Sequence, residues 1–257
     1  MAAQEGNFVW YELMTNDPDA AEAFYKSVIG WTTEVFGGPD SKYTILNAGG
    51  VGIGGLMELP EEARKNGARP AWVGYVHVED VDAKADEVKK KGGAVHRAPD
   101  DIPGVGRFAV VADPQGAAFL LFKNAGGPDR PAVAPGTPGH VGWHELHATE
   151  RESAFAFYAG LFGWTKGEAH DMGPVGVYQL FATGGLPVGG MMTKMEGMPR
   201  PFWLYYFNVD SIDAAVGRVT DAGGKVMNGP QQVPGGIWIA QCTDPQGVMF
   251  ALVGPRV

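Results

Sequence analysis

With 257 residues, 45% of them apolar and 19% charged, the chain is long enough for two ordinary globular domains and too apolar to stay disordered. A formal net charge of −9 argues against a phosphate backbone as partner. No apolar run approaches the roughly 20 residues that cross a bilayer, so neither nucleic acid nor membrane is expected. The single cysteine, Cys242, leaves no intramolecular disulfide, and MAAQEGNF carries no basic and apolar leader; the expected location is cytoplasmic.

In chain order, NFVWYELM (7–14) reads as a strand, and alternation puts Trp10, Glu12 and Met14 on one face. Asp17 then stands as a helix cap with Pro18 at the tolerated first position. Ala21, Phe24 and Val28 follow helical spacing until Gly30 ends the helix. Short strand-like segments with glycine turns come next, such as YTILNA (43–48). GVGIGG (50–55) matches a dinucleotide fingerprint only in glycine count, because LMELPEEARK opens no phosphate-facing helix after it. A further strand places Val73, Tyr75 and His77 on one face. A second helix follows from Asp80, with Val81, Ala85 and Val88 apolar and Lys89-Lys90-Lys91 complementing the dipole at its end. FAVVA (108–112) is a strand, and DPQG (113–116) is a turn into the last strand.

A stretch rich in proline and glycine, NAGGPDRPAVAPGTPG (124–139), reads as a semi-extended linker. After it the pattern is written again. Trp10, Glu12, Leu13, Phe24, Tyr25, Gly30 and Trp31 recur 133 residues later as Trp143, Glu145, Leu146, Phe157, Tyr158, Gly163 and Trp164. DPQG returns at 244–247, shifted by 131, as small loop changes require. The expected organisation is a first domain over 1–124, a linker over 125–139 and a second domain over 140–257. Each half carries a fainter repeat of itself: residues 15–30 align with 78–93 at an offset of 63. Each domain is therefore strand, helix and several strands, twice over.

A tandem of βαβββ modules with FY in the first helix, G-W after it and DPxG before the last strand resembles the vicinal oxygen chelate superfamily. That superfamily includes glyoxalase I, bleomycin-resistance proteins and extradiol dioxygenases, and the W-x-E-L start and DPQG turns are similar to a tandem glyoxalase-like subgroup. The resemblance covers the chain outside the linker. It implies an α+β fold in which the two modules of each domain curl into a partly open, barrel-like sheet around a cavity. It also implies a divalent ion held by His, Gln or Glu from the first strand of each module and from later strands. The first-strand positions fall on Trp10 and Trp143, those of the second module on Val73 and Leu204, and the last-strand glutamate on Leu120 and Ala251. The fourth position lies within 45–47 and 179–181. Trp, Val, Leu and Ala do not ligate such an ion.

The histidine-rich HVGWHELH (140–147) looks at first like a metal site. Its twin in the first half keeps only Trp, Glu and Leu, and strand phase turns His144 away from Trp143, Glu145 and His147. The expected cavity faces therefore carry Trp10, Tyr75, His77, Trp143, His147 and Tyr206 as substrate-binding residues. Glu12 and Glu145 are the candidate catalytic carboxylates, since an acid on an aromatic face must find a partner or a shifted pKa. The expected function is metal-independent binding of a small organic metabolite. The alternative is a lyase, isomerase or hydroxylase acting on an aldehyde or oxygenated metabolite, with a divalent metal left open. No cofactor is expected, and the chain is expected to be a monomer or a homodimer.

Overall fold

The computed structural model describes residues 4–37, 42–126, 131 and 133–257; residues 1–3 and 38–41 and linker residues 127–130 and 132 lie outside the described ones. The first repeat runs β1 (Phe8–Thr15), α1 (Pro18–Ile29), β2 (Thr32–Phe36), β3 (Tyr43–Ala48), β4 (Val51–Glu58), α2 (Glu61–Lys65), β5 (Ala71–His77), α3 (Val81–Lys90), β6 (Ala94–Ile102), β7 (Gly106–Ala112) and β8 (Ala118–Asn124). The second runs β9 (Val141–Ala148), α4 (Arg151–Phe162), β10 (Thr165–Asp171), β11 (Val177–Ala182), β12 (Pro187–Thr193), β13 (Phe202–Asn208), α5 (Ile212–Asp221), β14 (Lys225–Gln232), β15 (Trp238–Thr243) and β16 (Met249–Gly254).

Helices α1, α3, α4 and α5 each begin at a capping side chain. Asp17, Asp80, Glu150 and Ser211 each accept backbone N–H bonds from the first turn, and Gly30 and Gly163 close α1 and α4 in the left-handed region. Their apolar stripes (Ala21, Phe24 and Val28 on α1; Val81, Ala85 and Val88 on α3) are buried. Each repeat contributes one open eight-stranded sheet, with strands β2-β3-β4-β1 and β5-β8-β7-β6 in the first and the same order eight strands later in the second. Within each module the first strand pairs in parallel with the last, β1 with β4 and β9 with β12, and the remaining neighbours are antiparallel. The fold is α+β with two tandem modules per repeat, and neither sheet closes into a barrel.

By its contacts the chain divides into two compact units that do not follow the repeats. One unit joins the second module of the first repeat to the first module of the second; the other unit joins the remaining two modules. In the first unit, the Tyr158 hydroxyl on α4 donates to Asp113 of the DPQG turn at 3.1 Å and accepts from Trp203 at 3.1 Å. Asp113 also accepts the N–H groups of Gln115 and Ala117, and Gln115 exchanges two bonds with the backbone of Glu150 at the start of α4. Trp164 donates to the Gly6 carbonyl at 2.9 Å. The second unit repeats the set. Tyr25 bonds Asp244 and Trp72, Gln246 reaches Thr15 and Asp17, and Trp31 donates to Gly139. FY, G-W and DPQG are therefore parts of one device, and DPQG is more than a turn. In each unit these groups sit in a buried aromatic core: Tyr158, Trp164, Trp203 and Phe181 in one, Tyr25, Trp31, Trp72 and Phe207 in the other.

Candidate functional site

Strand β9 sets three side chains two residues apart on one face: Trp143, Glu145 and His147. They are tied together by Tyr178 of β11, a residue that the motif reading passed over. Trp143 Nε1 donates to the Tyr178 hydroxyl at 2.8 Å, and that hydroxyl donates to Glu145 Oε2 at 2.9 Å. The other carboxylate oxygen, Oε1, meets His147 Nε2 at 2.7 Å. Glu145 and His147 are buried, while Trp143 and Tyr178 are partly exposed. The His147 ring lies flat on Phe202, with centroids 4.7 Å apart and planes 7° from parallel.

Tyr178 reaches Glu145 by crossing β12 at Gly190, which pairs with Glu145 in register. A methyl group at Gly190 would overlap the Tyr178 ring. The first repeat is built alike. Gly55 pairs with Glu12, a methyl there would overlap Tyr43, and Trp10 Nε1 donates to the Tyr43 hydroxyl at 2.9 Å. Gly55, the last residue of GVGIGG, and Gly190, the last of GLPVGG (185–190), thus each clear a lane for a tyrosine. Tyr43 and Tyr178 recur at an offset of 135, as do Gly55 and Gly190, and that shared offset was the signal available in the sequence.

The electrostatics follow from burial. The Tyr178 hydroxyl is pushed well above the ordinary tyrosine range, first by burial and then by the Glu145 charge, so it remains a neutral donor. With Tyr178 donating to one oxygen of Glu145, the network assigns the Nε2 proton of His147 to the other. His147 Nδ1 is buried and has no hydrogen-bond partner. His144, on the opposite face, bonds the Val188 carbonyl at 2.8 Å and stacks on Phe8 at 4.1 Å. Burial pulls its pKa down to about 4, against the opposing Val188 bond.

The other sequence-derived candidates are placed as follows. Glu12 is buried on β1. Tyr75 is buried against Phe122, and His77 is buried with Nε2 3.4 Å from Glu79. Tyr206 is buried and accepts from Gln241 at 2.8 Å. Cys242 is buried and its thiol is pushed up to about 12, so it is no nucleophile near neutral pH.

Paired βαβββ modules with first-strand side chains gathered on one sheet face define a tandem glyoxalase-type protein. The model of the Glyoxalase/Bleomycin resistance protein/Dioxygenase superfamily matches residues 7–121 and 138–252, and the chain belongs to that superfamily. CFP32 of Mycobacterium tuberculosis, which carries a provisional glyoxylase name, is 32% identical over 98% of this chain and 96% of its own. The anthracycline biosynthesis protein DnrV of Streptomyces peucetius is 33% identical over 96% of this chain and 92% of its own. Among solved structures, the Mn(II)-bound glyoxalase of Novosphingobium aromaticivorans superimposes with a TM-score of 0.67 at 19% identity, covering 98% of this chain and 82% of that one. The 2,2',3-trihydroxybiphenyl 1,2-dioxygenase of Sphingomonas wittichii does so at 0.67 and 14% identity, covering 98% and 91%.

A resident divalent ion fits this donor set poorly. Among the described residues no three His, Cys, Asp or Glu side chains gather where an ion could be held. Glu145 and His147 supply one oxygen and one nitrogen, and the third group at Glu145 is a neutral phenol, short of the three His, Cys or carboxylate ligands such an ion needs.

Proposed function

We propose that the chain binds a small, partly apolar, oxygenated aromatic molecule against the Trp143–Tyr178–Glu145 face, and against its counterpart with Trp10, Tyr43 and Glu12, without a metal ion. The observation that carries this reading is the hydrogen-bonded line from Trp143 through Tyr178 to Glu145. It fixes two partly exposed aromatic rings beside one buried carboxylate, the usual make-up of a small-molecule site. The same parts recur in the first repeat. The relative named for anthracycline biosynthesis favours an oxygenated aromatic ligand over a purely aliphatic one. Soaking crystals with a set of phenols, naphthols and aromatic aldehydes tests the reading. Fragments are expected against Trp143 and Tyr178; binding confined to surfaces away from both faces overturns it.

A second reading, an enzyme acting on the same class of molecule, is favoured by the direct bond between Glu145 and His147, the arrangement of a proton-transfer pair. Under it, Glu145→Gln abolishes turnover while the protein stays folded; turnover that survives removes Glu145 from the chemistry.

A further inference from the structure

The face of the first repeat runs into a pocket of about 520 Å³, a volume ordinary for a small-molecule site. Tyr43, whose hydroxyl accepts the Trp10 N–H, belongs to both. Met57, also in the lining, pairs with Tyr43 in register and stands two residues beyond Gly55, which Tyr43 crosses. Cross-strand partners and residues two apart share a face, so the pocket opens on the same side of the sheet as Trp10 and Tyr43.

Four charged side chains line this pocket, and three of them have partners. Lys42 Nζ lies 3.7 Å from Glu58, and Glu61 takes Lys65 at 2.7 Å. The guanidinium of Arg64, on α2, makes no ion pair or hydrogen bond among the described residues. A guanidinium is a permanent cation, so the pocket holds one uncompensated positive charge.

The second repeat supplies an internal comparison. Equivalent residues are 135 apart at Gly55 and Gly190 but 131 apart at Trp72 and Trp203, so the first repeat has four more residues between β4 and β5. Helix α2 stands in that connection, whereas residues 194–201, between β12 and β13, form no helix. Arg200 there corresponds to Arg69, which leaves Arg64 without a counterpart, and Lys42 is matched by Val177. The two faces share tryptophan, tyrosine, glycine and glutamate, but only the first adjoins a wall that carries a spare cation.

We infer that this pocket seats a carboxylate of the bound molecule on Arg64, so that the first repeat favours aromatic acids over their neutral analogues and the second does not. The inference rests on the ligand-binding reading above and adds to it a subsite and the functional group it takes. The guanidinium fork meets a carboxylate through two parallel N–H···O bonds. One spare positive charge matches a singly charged carboxylate better than a doubly charged phosphate. Tyr43, common to face and pocket, joins the part that takes the ring to the part that takes the acid.

The test compares 6-hydroxy-2-naphthoate with 6-hydroxy-2-naphthamide, alike in shape and different in charge, with 2-naphthol as the ring alone. The indole ¹⁵N–¹H signals of Trp10 and Trp143, assigned through Trp10→Phe and Trp143→Phe, follow each face separately during titration of the intact chain. At Trp10 the naphthoate is expected to bind about fivefold more tightly than the amide, the upper range for a solvent-exposed ion pair. High salt should shrink that preference. At Trp143 the two probes should bind alike. The Arg64 Nε signal should move with the naphthoate and stay in place with the amide, and Arg64→Leu should abolish the preference at Trp10. Equal affinities at Trp10 with Arg64 Nε unmoved, while 2-naphthol still binds, overturn the inference and leave the binding-site reading standing. A preference of the same size at Trp143, or one that survives Arg64→Leu, also overturns it. No response of either indole to any of the three probes overturns the binding-site reading and this inference with it. Should Arg64→Leu fail to fold, the Arg64 Nε response in the wild type decides alone.

Discussion

At Gly190 and Gly55 a missing side chain decides where a tyrosine lies, and the tyrosine decides what Glu145 bonds and what Trp10 bonds. Gly190→Ala or Gly55→Ala should cost roughly 1–3 kcal/mol, the usual penalty for overfilling a packed site, read as a lowered urea midpoint. An unchanged midpoint would show that the tyrosine lane is not tight. His144 gives a pH signature. Its folded-state pKa of about 4 lies below the ordinary 6.5, so between those values the unfolded chain binds the proton that the folded chain refuses. Stability from this residue is full above pH 6.5 and falls as pH drops toward 4, by about 3 kcal/mol in total. His144→Phe should remove that fall from urea titrations taken at pH 7, 6, 5 and 4. Strand alternation alone had already turned His144 from the Glu145 face. Tyr178 was out of its reach, because a tyrosine two strands away leaves no mark on the phase of β9.

The helices and turns were legible in the sequence because their causes are local. Asp17 and Asp80 cap within three residues, Gly30 ends α1 by its own conformational freedom, and Ala21, Phe24 and Val28 keep helical spacing. The role of DPQG was only half legible. Its Asp shapes the turn locally, but Tyr158 and Tyr25, which hold Asp113 and Asp244, lie 45 and 219 residues away. Burial pushes both aspartates up from their ordinary value, with backbone amides opposing. The sign is therefore the reverse of the usual carboxylate. As pH falls toward the ordinary value of about 3.9, the folded chain takes up protons before the unfolded one and gains stability. Asp113→Asn with Asp244→Asn should abolish that gain, measured as the difference in urea midpoint between wild type and variant from pH 7 to pH 4. A difference that does not change with pH contradicts it. Tyr25→Phe, which strands the Trp72 N–H and one oxygen of Asp244, should cost roughly 1–3 kcal/mol at neutral pH.

Over the whole chain, duplication was plain in the sequence, but the way the modules combine was not. Nothing in a repeat says whether its two modules pack on each other or on those of its copy. The bonds of Tyr25 with Asp244 and Tyr158 with Asp113 say that each unit takes one module from each repeat. Residues 1–124 expressed alone would lack both partners, so that fragment should fold only by pairing with a second copy of itself. Analytical ultracentrifugation of the folded fragment checks this, and a stable folded monomer contradicts it. No helix among the described residues is long and apolar enough to cross a membrane. The central claim is that the two aromatic-carboxylate faces bind their ligand without a metal ion. Its most direct test is calorimetric titration of 2-naphthol into the chelator-treated chain, repeated after adding Mn²⁺, Zn²⁺ or Fe²⁺. The account predicts one affinity throughout and no stoichiometric metal uptake; binding that appears only with an ion, or an ion held by Glu145, contradicts it.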